Sequence, residues 1–359
     1  MRVESIGLPA ETKDQEKRVA LTPGAVAAIA HDGHRVIVQA GSGEGAGYAD
    51  SDYRAAGAEI VPDAGAAWSA DVVVKVKEPQ PSEYGFFRRD LTLFAYLHLA
   101  AASELTKALQ ESGARAYAFE TLEERGGLPL LAPMSEVAGR VAAIAGAYHL
   151  SNREGGSGTL MGGASGVLPA RVAVIGMGVA GTMAAHGARG LDAHVTGVDI
   201  DLQRLYDLRT HGVIHASLAS DPVAIGALVC DSDLVIGAAL VPGAKAPIVV
   251  PEAAVAAMRP GSVVVDLAID QGGCVETSRP TTLSDPTFDA HGVVHYCVTN
   301  VPGQFPRTAS AALSAAVMPR LLRLLANPDD PSLKTAANVI AGDIVHPAVA
   351  RAMEGCETT

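Results

Sequence analysis

The chain has 359 residues, enough for two domains, and is 48% hydrophobic with a mean hydropathy of +0.23. Only 4% is aromatic, so Ala, Val, Leu and Gly must fill the cores, which suits parallel strands and closely approaching helices. A net charge of −12 argues against nucleic acid or an anionic membrane surface as partner.

No apolar run approaches the roughly 18 residues of a transmembrane helix, and the N-terminus lacks the apolar core of a signal peptide. No membrane association is expected, and the location expected is cytoplasmic. Cys230, Cys274, Cys297 and Cys356 show no CxxC spacing, which fits reduced thiols. No metal is expected.

In chain order, Val3 to Leu8 reads as a first strand. Pro9 to Arg18 is a charged loop, expected to be exposed. Thr22 caps a helix with Pro23 at its first position, ended by Asp32-Gly33. Arg35 to Gln39 is the next strand. A weaker alternation follows: a helix over Asp52 to Ala56, a strand over Glu59 to Val61, and a helix through Trp68. Val72 to Val76 is an apolar strand that delivers Lys77-Glu78-Pro79 at its end. Leu91 to Leu97 is another and delivers His98. A helix over Glu104 to Glu111 precedes a strand from Arg115 to Phe119, which ends at Glu120. Residues 1–128 therefore read as an α/β domain of parallel type.

Ser135 to Leu150 reads as a long connecting helix, and residues 155–166 as a glycine-rich loop. Val172 to Ile175 is then a short buried strand, followed at once by Gly176-Met177-Gly178-Val179-Ala180-Gly181. A small-residue helix (Ala184 to Arg189) and a strand from His194 to Val198 come next, the latter ending on Asp199. In this order the glycines have separate tasks: Gly176 for a tight turn, Gly178 for backbone approach to a pyrophosphate, and Gly181 for close packing of helix on strand. The N–H groups of the helix N-terminus suit the phosphates. Asp199 stands near the spacing of an acid that binds the adenosine ribose diol, and its charge favours NAD over NADP.

Alternation then resumes, with helix Asp201 to Arg209, strand Val213 to His215, helix Pro222 to Leu228 and strand Leu234 to Ile236. A Pro242-Gly243 turn, helix Glu252 to Met258 and strand Val263 to Leu267 lead to Ala268-Ile269-Asp270. Val293 to Val298 reads as the last strand. Ala309 to Leu325 reads as a long amphipathic helix that returns to the first domain, followed by a partly helical tail. No internal repeat is present.

Lys77, His98 and Asp270 follow the ends of strands, where open α/β sheets place ligands. Each has a bland alternative: a solvated charge, a satisfied core histidine and a turn former. Together they offer a cation for a carboxylate, a group titrating near neutral pH and an acid. Arg18 adds a guanidinium fork suited to a carboxylate, or is an ordinary surface arginine.

Several blocks of the sequence make the chain resemble the alanine dehydrogenases, a family sharing its fold with the first domain of the nicotinamide nucleotide transhydrogenases. These are G-L-P-A-E-T-K-D-Q-E-K-R-V-A (Gly7 to Ala20), K-V-K-E-P (Lys75 to Pro79), L-H-L-A (Leu97 to Ala100) and L-L-A-P-M-S-E-V-A-G-R (Leu130 to Arg140). G-A-A-L-V-P-G-A-K-A-P (Gly237 to Pro247) and A-I-D-Q-G-G (Ala268 to Gly273) complete the set. The resemblance implies two Rossmann-like doubly wound α/β domains, the first discontinuous, separated by an active-site cleft that closes over substrate. Residues 1–128 and 310–359 would form the substrate domain and 129–309 the NAD-binding domain.

By the same resemblance Arg18 is the substrate-carboxylate ligand, and Lys77, not Lys75, is the second substrate ligand. His98 is the acid/base and Asp270 the second catalytic residue. Ser135, Asp199, Arg204, Leu240, Leu267, Asp270 and the segment Val298 to Val301, including Asn300, match cofactor positions, beside Gly176, Gly178, Val179 and Gly181 of the glycine loop. Val301 stands where the family commonly has methionine beside the nicotinamide, and the region past Leu325 departs from the family pattern. Hexamers are usual in the family.

The activity implied is the NAD-dependent, reversible oxidative deamination of L-alanine to pyruvate and ammonia. Two other readings are an imine reductase joining a keto acid to a larger amine, and a transhydrogenase-like NAD(H)-binding component. The K-E-P lysine, which transhydrogenase chains lack, speaks against the second. A catalytically silent NAD-binding protein would not need Arg18, Lys77, His98 and Asp270 together.

Overall fold

Short apolar segments alternate with helices along most of the chain, and the computed structural model arranges them in two sheets. It describes residues 5–240 and 246–356. One unit comprises Met1–Met134 with Phe305–Thr359, the other Ser135–Gln304. The sequence reading divided the chain at 128 and 310. The structural division at Met134–Ser135 falls inside helix Ala132–His149.

The first unit opens with strands β1 (Ser5–Leu8), β2 (Arg35–Gln39), β3 (Glu59–Val61), β4 (Val72–Val74), β5 (Thr92–Ala95) and β6 (Arg115–Ala118). All six are parallel, in the order β3-β2-β1-β4-β5-β6. Ile6 lies opposite Val36 on one side and Val72 on the other. Central strands such as β4 are wholly buried and apolar, because helices cover both faces of a parallel sheet. The chain order reverses between β1 and β4, so residues after these two strands flank a topological switch point.

The second unit contains β7 (Arg171–Ile175), β8 (His194–Asp199), β9 (Ala216–Ala219), β10 (Leu234–Gly237), β11 (Val263–Asp266), β12 (Thr287–Ala290) and β13 (Val293–Tyr296). Its parallel core runs β9-β8-β7-β10-β11-β13, the same winding, with β12 antiparallel at the edge. The switch point is between β7 and β10. Short polar side chains start its helices: Asp201 accepts the Arg204 N–H, and Asp221 accepts that of Ala224 ahead of Pro222 at the first helical position. Two doubly wound domains of Rossmann type are present, as the sequence implied.

Some expectations need correction. The strand expected at Val213–His215 forms three residues later, at Ala216–Ala219, because Val213 and Ile214 are buried as a turn beneath the preceding helix. The helix after the glycine loop begins at Val179 rather than Ala184, and the long helix begins at Ala132, so Ser135 lies within its first turn. Val293–Tyr296 is not the last strand. The tail supplies β14 (Ala337–Ile340), antiparallel to β6, and β15 (Asp343–Ile344), before helix Pro347–Cys356. These edge strands and β12 are short and partly polar, so alternation did not reveal them. Val3 and Glu4 of the first strand, and the Pro242-Gly243 turn within the Gly237–Pro247 block, lie outside the described residues.

The sequence also suggested no segment long enough to span a membrane. Helix Pro306–Ala326 does meet that length and composition, with 21 residues and a mean hydropathy of 1.3. Alanine raises its hydropathy without bulk, and 44% of the apolar window is buried inside the protein. Its Ser310 and Ser314 hydroxyls accept the Val19 and Thr22 N–H groups, each at 2.9 Å, so this helix holds the segment just after Arg18. Cys230, Cys274 and Cys297 are free thiols.

Candidate active site

In the first unit the candidate residues gather at the carboxyl ends of three adjacent strands, β1, β4 and β5. The loop after β1 is exposed only in part, at Thr12, Asp14, Gln15 and Lys17, where a wholly exposed charged loop was expected. Arg18 is 2% exposed and Glu16 7%. Charges are buried only when paired, and the Glu16 carboxylate accepts from Arg18 Nε at 2.7 Å and from Nη2 at 2.5 Å. Burial opposes the Arg18 charge, but Glu16 outweighs it and raises the guanidinium pKa above its ordinary value. Nη1 points to Met134 Sδ at 3.1 Å. A small cavity beside Arg18 is lined by Leu8, Pro9, Glu11, Tyr53 and Val74 among others.

Lys77 lies three residues past the end of β4 and is half-buried. Lys75, two residues earlier, is 1% exposed and pairs with Glu83 at 2.7 Å and Glu11 at 3.5 Å. β4 ends two residues earlier than the Val76 expected, so both lysines lie past it, Lys75 buried in a charge cluster and Lys77 half-buried beyond it.

His98 follows β5 in a left-handed conformation with φ of 50° and is exposed. Its ring is stacked on Tyr96, with centroids 6.2 Å apart. Tyr96 is fixed by its hydroxyl donating to the Leu130 carbonyl at 2.5 Å, and burial raises its pKa. The Glu120 carboxylate, at the end of neighbouring β6, accepts the N–H groups of Leu97 at 3.2 Å and His98 at 2.7 Å. A non-glycine residue in the left-handed region needs such support.

In the second unit the glycine loop follows β7. Gly176 has φ of 91°, and a Cβ there would meet the Ala238–Ala239 backbone at 2.7–2.8 Å. A Cβ on Gly181 would lie 1.8 Å from the Gly176 carbonyl oxygen, so no larger residue fits. Gly178 has no neighbouring atom within 4 Å of a notional Cβ, leaving its face open. Val179 begins helix Val179–Gly190 and is exposed. Asp199 ends β8 and accepts from the Met177 N–H at 2.6 Å and the Asp201 N–H at 2.9 Å. Arg204 is exposed, with its guanidinium 3.9 Å from Asp201.

Asp266, buried at the end of β11, accepts N–H groups from Ala268 and Cys274 at 2.9 Å and Val275 at 3.0 Å. It shapes the loop that presents Leu267 and Asp270. Burial first, then Asp266, pushes the Cys274 thiol pKa up. Asp270 is exposed and faces the Asn300 N–H at 3.3 Å. Asn300 has φ of 56°, and Val298 and Val301 beside it are buried. Leu240 is exposed after β10, and Ser135 is half-buried.

Open backbone at Gly178, a helix N-terminus behind it and a carboxylate at the end of β8 fit a dinucleotide, with N–H groups for the pyrophosphate and an acceptor for a ribose diol. Lys77, His98 and Arg18 belong to the first unit, and Asp270 to the second. Among the described residues, no group of three or more His, Cys, Asp or Glu is placed to hold a metal ion. Glu11, Glu16, Glu83, Glu120 and Asp266 were not singled out from the sequence. Glu120 carried a signal, since it ends a strand beside the one delivering His98.

Residues 7–138 match the alanine dehydrogenase/PNT N-terminal domain, and residues 142–347 the alanine dehydrogenase/PNT C-terminal domain. The chain is 48% identical over 356 residues to an alanine dehydrogenase of Bacillus subtilis (strain 168), covering 96% of this chain and 94% of that one. A solved L-alanine dehydrogenase superposes with a TM-score of 0.94 at 47% identity, over 98% of this chain and 99% of that chain. A transhydrogenase from Sinorhizobium meliloti superposes at 0.84 with 29% identity, over 96% of this chain and 100% of that chain. This fold implies a nicotinamide dinucleotide cofactor. With residues 7–138 and 142–347 matched to its two domains, the chain belongs to the alanine dehydrogenase/PNT family.

Proposed function

We propose that the protein catalyses the NAD-dependent, reversible oxidative deamination of L-alanine to pyruvate and ammonia. The observation that carries the reading is the delivery of Lys77 and His98 from the carboxyl ends of adjacent parallel strands, β4 and β5. A cation and a proton-transfer group so placed suit a 2-oxo acid. Lys77, with Arg18 from the loop after β1, pairs with the substrate carboxylate. Glu16 keeps Arg18 charged despite its burial.

In the direction of amination, ammonia adds to the pyruvate carbonyl carbon to give a carbinolamine. His98 donates the proton that lets oxygen leave as water, producing an iminium. The dinucleotide, when bound, supplies the hydride that reduces this carbon. In deamination His98 accepts the proton as the carbinolamine collapses. Asp270 orients the attacking ammonia or water. Asp199 selects NAD, because a carboxylate repels a 2′-phosphate and accepts from a diol. Lys77 also weighs against a transhydrogenase-like role. On the family resemblance, we infer a homo-oligomer, with a hexamer expected, and a cytoplasmic location.

The test is NADH oxidation with pyruvate, first with ammonium and then with larger amines. Turnover with ammonium supports the proposal. Turnover only with larger amines would replace it by an imine reductase, and no turnover with any amine would leave no dehydrogenase reading.

A further inference from the structure

The pairing of β1 with β4 ends at Gly7–Val73, so on that side the chain leading to Lys77 runs on past β1, while on the other side Lys75 and Val76 still bond to the β5 segment. A side chain takes over there. Glu11, whose side chain is 7% exposed, accepts the Val76 N–H at 2.6 Å through Oε1 and the Lys77 N–H at 3.2 Å through Oε2. Lys75 Nζ stands 3.5 Å from Oε2 and 2.7 Å from Glu83 Oε1. The other Glu83 oxygen accepts the Gln80 N–H and the Thr12 hydroxyl, both at 2.8 Å. Lys13 pairs with Glu78 at 2.5 Å. The segment Lys75–Glu78 is therefore gripped at successive points by Glu11 and Lys13 of the loop after β1, and Thr12 holds Glu83.

We propose that Glu11 is a positioning residue for Lys77: its carboxylate sets the backbone from which Lys77 reaches the substrate carboxylate. The proposal rests on the reading of Lys77 as a substrate ligand. Two charge-assisted bonds to consecutive N–H groups fix the local dihedral angles more firmly than one neutral bond. Burial raises the Glu11 pKa, Lys75 and the two N–H groups acting against that rise. Glu11 lines the cavity beside Arg18, where a carboxylate does not itself bind an anion. Beside its pairing with Lys75, its bonds to the Val76 and Lys77 N–H groups give it a positioning role.

The experiment is a double-mutant cycle of Glu11→Ala and Lys77→Ala. It reads pyruvate binding to the enzyme–NADH complex without ammonium, NADH binding alone and thermal unfolding. Glu11→Ala should weaken pyruvate binding on the order of ten- to a hundred-fold, as expected for a displaced binding group. NADH affinity should not change. In the Lys77→Ala background the same substitution should have no further effect, because residues acting through one another are non-additive. Glu11→Gln, which keeps one acceptor, should recover part of the affinity, and it replaces Glu11→Ala in the cycle if the alanine variant does not fold. Additive losses, or native pyruvate affinity in both Glu11 variants, would overturn the proposal alone. A Lys77→Ala variant that binds pyruvate normally would overturn the site reading and the proposal with it.

Discussion

The Asp199 carboxylate accepts the Met177 N–H at 2.6 Å, so the acid at the end of β8 also holds the glycine loop after β7. Asp199, proposed to select the cofactor, therefore also shapes the loop. Asp199→Ala should lower kcat/KM with NADH about 10- to 100-fold, the equivalent of losing a hydrogen bond to a charged group. The loss with NADPH should be smaller. The ratio of kcat/KM for the two cofactors is the measurement, and equal turnover with both in the unmodified protein would sink the assignment of Asp199.

The paired lysines should separate stability from turnover. From the sequence, Lys75→Ala is the milder change for activity. The structure adds a cost to folding, since removing Lys75 leaves Glu11 and Glu83 buried beside each other without their cation. Breaking a buried pair in this way costs about 3–5 kcal/mol. Lys77→Ala should unfold at nearly the native midpoint yet lose turnover, with NADH binding kept. Urea unfolding and steady-state rates on both variants check this, and the reverse ranking would misplace the site.

Two glycines of one loop should fail differently. Gly181→Ala puts a methyl against the Gly176 carbonyl and should destabilise by about 1–3 kcal/mol, as overpacking does. Gly178→Ala meets no protein atom, so it should fold normally and bind NADH more weakly. Equal NADH affinity in Gly178→Ala and the native protein would show that the pyrophosphate does not approach there.

His98→Asn is a suitable probe because asparagine tolerates the left-handed backbone that His98 adopts. Lost activity then reports lost proton transfer. The rate should fall by a factor on the order of 10² to 10⁴. If His98→Asn keeps near-full activity, another group is the acid/base.

Glu124 ties the loop after β6 to helix Pro306–Ala326 through Arg320 and Arg323. The hydrogen bond from Arg320, followed by the charges of both arginines, lowers its pKa against the opposing effect of burial. A carboxylate with a lowered folded pKa contributes stability above its unfolded value of 4.5, and loses it as pH falls through the folded value. The pair is partly exposed and screened, so about 0.2–1 kcal/mol is at stake. Glu124→Gln should lower stability by that amount at pH 7 and by less at pH 3, below the unfolded value of 4.5. Unfolding curves at the two pH values decide it.

Alternation and spacing made the six parallel strands of the first unit and the glycine loop legible, because a buried parallel strand is a short apolar run whatever surrounds it. The ends of such runs also pointed to Lys77 and His98 in the first unit and to Asp270, after β11, in the second. The edge strands β12, β14 and β15 were not legible, since half-exposed strands carry few apolar residues and depend on the partner that pairs with them.

What the sequence by itself determined was the order of the buried parallel strands and most helices, the glycine loop with an acid after it, and the residues leaving those strands, all set by local period and spacing. Tertiary structure alone decided which charges are buried. Arg18 and Glu16 read as a solvated loop, and Glu11 as one more acid in it. Their burial depends on helix Pro306–Ala326 and on Val76 and Lys77, which lie 65 and 66 residues from Glu11. A charge leaves water only where its partners already stand, and those partners are brought together by the sheet rather than by neighbouring sequence.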